Sequence, residues 1–157
     1  MRAVESRIDI AAPPWRVWRV LTDLDAYPAW NPVLTRVRGR LEQGTRLRVR
    51  VEWPGRRSAL TLKARVVALE TGREVRWRSR LLLLPGLLDG EHAFHLEWLA
   101  GGRATRLRQA ARFTGLLAPF AGTGDRLETA KRGLEAMDAA LKTVAERPGV
   151  AAMHPDP

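Results

Sequence analysis

The chain has 157 residues, 45% of them hydrophobic and 28% charged, which suits one globular domain with its own core. It contains no cysteine, and this excludes disulfides, thiol catalysis and cysteine-ligated metal. The net charge of +10 has one source, because Arg36–Arg80 contains 14 basic and 4 acidic residues while the rest of the chain carries 13 of each. The first residues contain no apolar run of signal-peptide length, so we predict a cytoplasmic protein.

The N-terminal segment predicts a strand followed by short helices. Residues 4–10 alternate between apolar and charged side chains, except at Ser6, which is typical of a half-buried strand. Pro13-Pro14 ends this strand and suits the first turn of a helix over Trp15–Thr22. Pro28 and Pro32 prevent any longer helix beyond it.

The stretch YPAWNP, residues 27–32, places two aromatic residues beside two prolines. We interpret it as a rigid corner, in which Tyr27 and Trp30 fill the gap where the short helices meet the sheet and the C-terminal helix. The alternative is a lid whose aromatic side chains contact a ligand.

From Val33 onwards the hydrophobic period becomes two, which predicts six consecutive strands. Tight turns at Gln43-Gly44, Pro54-Gly55, Thr71-Gly72 and Gly101-Gly102 indicate an antiparallel meander. Arginines take the outward positions of four strands: Arg36, Arg38, Arg40, Arg46, Arg48, Arg50, Arg76, Arg78, Arg80, Arg106 and Arg108.

The C-terminal segment predicts one long helix with a single apolar stripe, spaced alternately by three and four residues: Leu127, Ala130, Leu134, Met137, Leu141 and Val144. Residues 148–157 are predicted to form a disordered tail. Sheet and helix each have one apolar face to bury, so we expect an α+β fold in which they pack together. A curled sheet around one helix can leave a cavity between them.

This order of elements, with its motifs, resembles the SRPBCC superfamily, also called START-like or Bet v 1-like. The resemblance covers about residues 3 to 147, and four segments carry it: Trp18–Asp23, Tyr27–Pro32, Gly90–His92 and Phe113–Leu117. It implies the helix-grip fold, with about seven antiparallel strands (β-α-α-β6-α) wrapped around the long C-terminal helix in a single domain of residues 1–147. Many such sequences carry the label polyketide cyclase/dehydrase and lipid transport, but the fold hosts carriers, sensors and cyclases alike.

The inward face of the predicted sheet is apolar and aromatic, as small-molecule pockets are, and Trp98 shares its parity. Ser79, His92 and Gln109 are polar exceptions that can orient a ligand carbonyl or hydroxyl. The alternative is that backbone groups or buried water satisfy them. The predicted ligand-binding residues are Leu62, Ala64, Trp77, Ser79, Leu81, His92, Phe94, Leu96, Leu107, Gln109, Ala111, Phe113, Leu134 and Met137.

His92 is the one candidate for acid–base catalysis, since imidazole titrates in a suitable range. Glu91 and Glu97 point to the other side of their strand, and a third, orienting acid is missing. The three histidines share no ligand spacing with a set of carboxylates, and we predict neither a metal nor a cofactor.

The leading hypothesis is a non-catalytic protein that binds a lipid, an isoprenoid or an aromatic polyketide-like molecule in the cavity. A cyclase/dehydratase-type enzyme using His92 is the alternative. A third hypothesis is that the arginine face docks on an anionic membrane or nucleic acid, against the simpler interpretation of a solvated face. Apolar loops at residues 83–88 and 116–120 are expected at the pocket mouth, and the sequence leaves monomer and homodimer open.

Overall fold

The computed structural model describes residues 2–57, 59–81, 86–121 and 125–148. The strands are β1 Arg2–Ile10, β2 Leu34–Arg38, β3 Arg46–Glu52, β4 Ala59–Glu70, β5 Glu74–Arg80, β6 Asp89–Leu99 and β7 Ala104–Thr114. The helices are α1 Pro14–Thr22, α2 Tyr27–Trp30, α3 Ala118–Ala121 and α4 Asp125–Ala145. The predicted tail from residue 149 and residues 82–85 of the predicted mouth loop lie outside the described residues.

The seven strands form one antiparallel sheet in the order β1-β7-β6-β5-β4-β3-β2. β2 to β7 form a meander. The first strand, β1, pairs with the last strand, β7, along its whole length, from Arg2 opposite Phe113 to Ile10 opposite Thr105. Irregular pairing in β2 and β4 sharpens the local bend of the sheet. The predicted α+β helix-grip architecture with seven curled strands is confirmed.

α4 lies in the concave side of the sheet and supplies the centre of the core. Its predicted stripe is correct, since Ala130, Leu134, Met137 and Leu141 are buried. Gly133 has a separate role, because a Cβ added there would lie 3.0 Å from the ring of Trp53. The missing side chain therefore lets the Trp53 indole lie directly on the helix.

The stretch YPAWNP forms a corner built from local hydrogen bonds. The hydroxyl of Tyr27, which is 1% exposed, donates to the carbonyl of Leu21 at 2.6 Å. The Tyr27 ring meets Trp30 edge-on, with ring centroids 5.1 Å apart. Asn31 Oδ1 then accepts from the backbone amides of Val33 and Leu34 at 3.0 and 2.8 Å, which directs the chain into β2.

Inward parity does not guarantee burial, as Trp98 shows. Trp98 has the parity of the buried Phe94 and Leu96, yet it is 67% exposed. It lies one residue before the end of β6, beside the turn at residues 100–102. Parity gives the face of a strand, but a side chain on the inner face is buried only where another element covers it.

We expect Tyr27→Phe to lower the free energy of unfolding by about 1–2 kcal/mol, since the buried Leu21 carbonyl loses its donor. Urea unfolding measures this change. Thr143→Val is the control, because it removes an exposed hydroxyl that donates to Ala139 and should have a smaller effect. Equal losses in the two variants would contradict the structural role of the corner.

Candidate functional site

A cavity of about 560 Å³ lies between the inner face of the sheet and the first half of α4. Apolar side chains dominate its wall, and five lining residues are exposed: Arg56, Ala59, Leu60, Arg112 and Arg126. Trp53, held on Gly133, and Thr129 also line it, and the sequence had not indicated either residue.

The structure divides the predicted ligand-binding residues into two groups. Nine line the cavity: Leu62, Trp77, Ser79, Leu81, His92, Ala111, Phe113, Leu134 and Met137. Five do not line it and are buried in the core around it: Ala64, Phe94, Leu96, Leu107 and Gln109. Ligand contact stays a prediction for both groups.

The aromatic rings on β5 and β6 hold the imidazole of His92 in place. His92 lies opposite Trp77 in the strand pairing, and their ring centroids are 5.7 Å apart. Phe94 stacks on the imidazole with centroids 4.4 Å apart and also meets Trp77 edge-on at 5.5 Å. Packing against Trp77 and Phe94 therefore fixes the imidazole ring, in addition to any hydrogen bond that it forms.

A buried polar relay leads from the cavity wall to α4. His92 Nε2 lies 2.8 Å from Gln109 Oε1. The Gln109 amide nitrogen donates to Asp138 Oδ1 and to the carbonyl of Leu134, the latter at 3.3 Å. Gln109 is 1% exposed and Asp138 is 2% exposed, so neither side chain has bulk water as an alternative partner.

This relay selects one tautomer of the imidazole. The Gln109 nitrogen faces two acceptors, so the Gln109 oxygen must face His92. His92 Nε2 therefore carries the proton and donates it, which leaves Nδ1 as an acceptor. Nδ1 has no hydrogen-bond partner among the described residues.

Electrostatics keep the imidazole neutral. Burial in the apolar wall lowers the pKa of His92 to about 4, and the hydrogen bond with Gln109 only partly opposes that shift. Burial also raises the pKa of Asp138, again against the effect of its Gln109 hydrogen bond. A neutral His92 can accept a proton or a hydrogen bond at neutral pH.

Asp138 is the site residue that the strand analysis missed. The prediction that an orienting acid is missing was made from strand parity, and it overlooked Asp138, which comes from α4 and accepts a hydrogen bond from Gln109. A signal was present, because Asp138 follows Leu134 by four residues and precedes Leu141 by three. A carboxylate inside an apolar helical stripe must be paired, and its partner was on a strand 29 residues away.

A curled antiparallel sheet that grips one long helix defines the helix-grip fold class. The chain belongs to the polyketide cyclase / dehydrase and lipid transport family, whose sequence profile matches residues 1–147. This match confirms the predicted relationship to the SRPBCC superfamily. No curated protein sequence matches the chain.

Solved structures share the whole fold at low sequence identity. The Zhui aromatase/cyclase from Streptomyces sp. R1128 aligns with a TM-score of 0.72 and 24% identity, over 98% of this chain and 99% of that one. Protein MLL2253 from Mesorhizobium loti gives 0.70 and 21%, over 94% and 98% of the two chains. Ara h 8.0201 gives 0.66 and 14%, over 92% and 97%. At such identities the likeness concerns the fold alone.

The described residues contain no cluster of three or more histidine and carboxylate side chains that could hold a metal ion. None of the helices described is both long and apolar enough to cross a membrane.

We expect the His92 imidazole to stay neutral, as the Nε2–H tautomer, down to about pH 5, because its folded pKa is about 4. Between that value and 6.5 the unfolded state binds the extra proton. The free energy of unfolding should therefore fall as the pH is lowered through this window, by at most about 3 kcal/mol from His92. Nitrogen chemical shifts report the tautomer, and urea unfolding reports the stability.

His92→Asn is the control, since it lacks the titrating group and should lose this part of the pH dependence whatever its absolute stability. A ring that titrates above pH 6, or that carries its proton on Nδ1, would contradict the relay.

Proposed function

We propose that the protein binds one hydrophobic small molecule in the cavity between the sheet and α4. The observation that carries this proposal is the size and lining of the cavity. Its volume of about 560 Å³ falls within the range of about 300–1,000 Å³ for small-molecule sites. An apolar wall with few polar groups gives affinity through burial and orientation through those groups.

Two polar side chains on the inner face of the sheet define the complementary chemistry of the ligand. His92 offers Nδ1 as an acceptor, and Ser79 on the neighbouring strand lines the same cavity with its hydroxyl. A ligand hydroxyl donating to His92 satisfies both partners, whereas a ligand carbonyl finds its donor in Ser79. An aromatic or isoprenoid body with one hydroxyl therefore fits better than a plain hydrocarbon.

The mouth adds a preference for an amphipathic ligand. Arg56 and Arg126 lie where the cavity opens, while the interior is apolar. A ligand with a carboxylate or another anionic end can bury its apolar body and leave the charge beside these arginines, in water.

Ala111→Phe tests the cavity by filling it from the wall. We expect it to lower affinity for 2-naphthol and for a fluorescent fatty acid at least about tenfold, because the added ring occupies ligand volume. Fluorescence titration measures affinity, and Trp77 and Trp53 in the wall provide an intrinsic signal.

Ala110→Phe is the matched control, since it adds the same bulk one residue away on the outer face of β7. Binding that survives Ala111→Phe but is lost in Ala110→Phe would place the ligand elsewhere. Failure of the wild-type protein to bind either probe or related apolar molecules would contradict the proposal.

A second candidate function is catalysis of the cyclase/dehydratase type, and the relay is the observation that favours it. A neutral imidazole with a fixed tautomer and a buried carboxylate behind it is arranged as a general base. In this role His92 Nδ1 removes a proton from a carbon or hydroxyl of the bound substrate, and Gln109 and Asp138 hold the ring.

We expect His92→Ala to reduce turnover of a synthetic poly-β-ketone thioester by about 10²–10⁴-fold, with a much smaller change in affinity for the fluorescent fatty acid. Product formation followed by chromatography measures the rate. Ser79→Ala is the comparison, because it removes a polar wall group without a base. Unchanged turnover in His92→Ala would remove the catalytic role but leave ligand binding untouched.

A further inference from the structure

The outer face of the sheet carries two different arrangements of arginine. On β2, β3 and β4 the strand pairing places cations directly opposite each other. Arg38 faces Arg48, and Arg48 faces Lys63 on its other side. Arg46 faces Arg65, which in turn lies opposite Arg78. Arg36 lies opposite Arg50.

Six of these cations are exposed, and their side chains form no ion pair or hydrogen bond with any other described residue: Arg36, Arg38, Arg46, Arg48, Lys63 and Arg65. We call them the arginine face. In this region Arg50 has an acidic neighbour, Glu52, at 3.5 Å.

On the outer face of β5, β6, β7 and β1, acidic side chains pair with the arginines. Glu91 pairs with both Arg76 and Arg78, at 3.6 and 2.9 Å. Arg106 binds Asp9 at 2.8 Å, and Arg108 binds Glu97 at 2.6 Å. This fold therefore tolerates acidic residues between the arginines on its outer face. The fold does not explain why the arginine face lacks them.

The arginine face works against stability. Cross-strand neighbours have Cβ atoms about 5 Å apart, and like charges at this distance destabilise a sheet. Solubility needs only an interspersed surface with some net charge, which the paired half already provides. A concentrated cationic field is instead suited to an anionic partner.

We propose that the arginine face docks on the surface of an anionic phospholipid bilayer. The cations form a two-dimensional array across three strands, which lie about 4.8 Å apart. A bilayer presents its negative charge over a plane, and its lipids move laterally, so anionic headgroups can gather under every cation. Arginine also pairs with phosphate through two hydrogen bonds.

Nucleic acid fits this surface less well. The outer side of a sheet that curls around α4 is convex, and a duplex is convex too, so only one row of cations could meet its phosphates. Single strands need aromatic platforms, and none of the outward side chains of β2, β3 and β4 is aromatic.

Arg38→Glu combined with Arg48→Glu tests the proposal by co-sedimentation with vesicles of phosphatidylcholine and phosphatidylserine. We expect the wild-type protein to bind these vesicles in about 0.05 M NaCl, and to bind weakly in about 0.5 M NaCl and to phosphatidylcholine alone. The double variant should lose binding at least about 25-fold, at about fivefold per cation removed.

Arg132→Glu combined with Arg147→Glu is the matched control, since it makes the same charge change at exposed positions on and just after α4. It should bind anionic vesicles within about threefold of the wild type if location matters more than net charge. Affinity for 2-naphthol should be unchanged in both variants, which separates this proposal from the function of the cavity.

The same protein is titrated with duplex and single-stranded DNA. Three results would overturn the proposal: no salt-sensitive binding to anionic vesicles, equal losses in the two double variants, or tighter binding to DNA than to vesicles. Circular dichroism checks folding, and Arg46→Gln with Arg65→Gln repeats the test by neutralisation should the first variant unfold.

Discussion

The fold depends on one geometric constraint, which is that a curled seven-stranded sheet has more inner surface than a single helix can cover. α4 packs chiefly on β1 and also contacts β7 and α1. The inner sides of the middle strands are thus left without a partner near the first half of the helix. The side chains on the two sides do not fill the gap, so an apolar space remains. The cavity is a consequence of where the helix lies.

The same constraint explains why polar groups can persist inside. Gln109 and Asp138 lie where the helix and the sheet are in contact, and the Gln109 amide donates a hydrogen bond to the Asp138 carboxylate. In a medium of low polarity an unpaired carboxylate or amide is costly, but a satisfied chain is rigid. His92 is the last member of this hydrogen-bonded series, and its ring lines the cavity. Its tautomer is thereby set by a helix residue that it does not touch.

Alternation along each strand lets one segment serve two purposes. On β3 the inward Leu47, Val49 and Val51 are buried, while the arginines between them are exposed. Changes on one face leave the other free, because the side chains never share a side of the sheet. The cavity and the arginine face are therefore independent surfaces of the same strands.

The sequence by itself determined the element order, the face of nearly every strand residue and the apolar stripe of α4, because periods of two and 3.6 are local properties of the chain. Tertiary structure decided what these faces meet. Trp98 shows the limit, since its parity is inward but no element covers it. Phe94 and Gln109 were likewise predicted to contact the ligand, and the structure buries them without placing them in the lining of the cavity. The meeting of His92, Gln109 and Asp138, and the opposition of Arg38, Arg48 and Lys63, depend on register and helix placement, which join residues far apart in the chain.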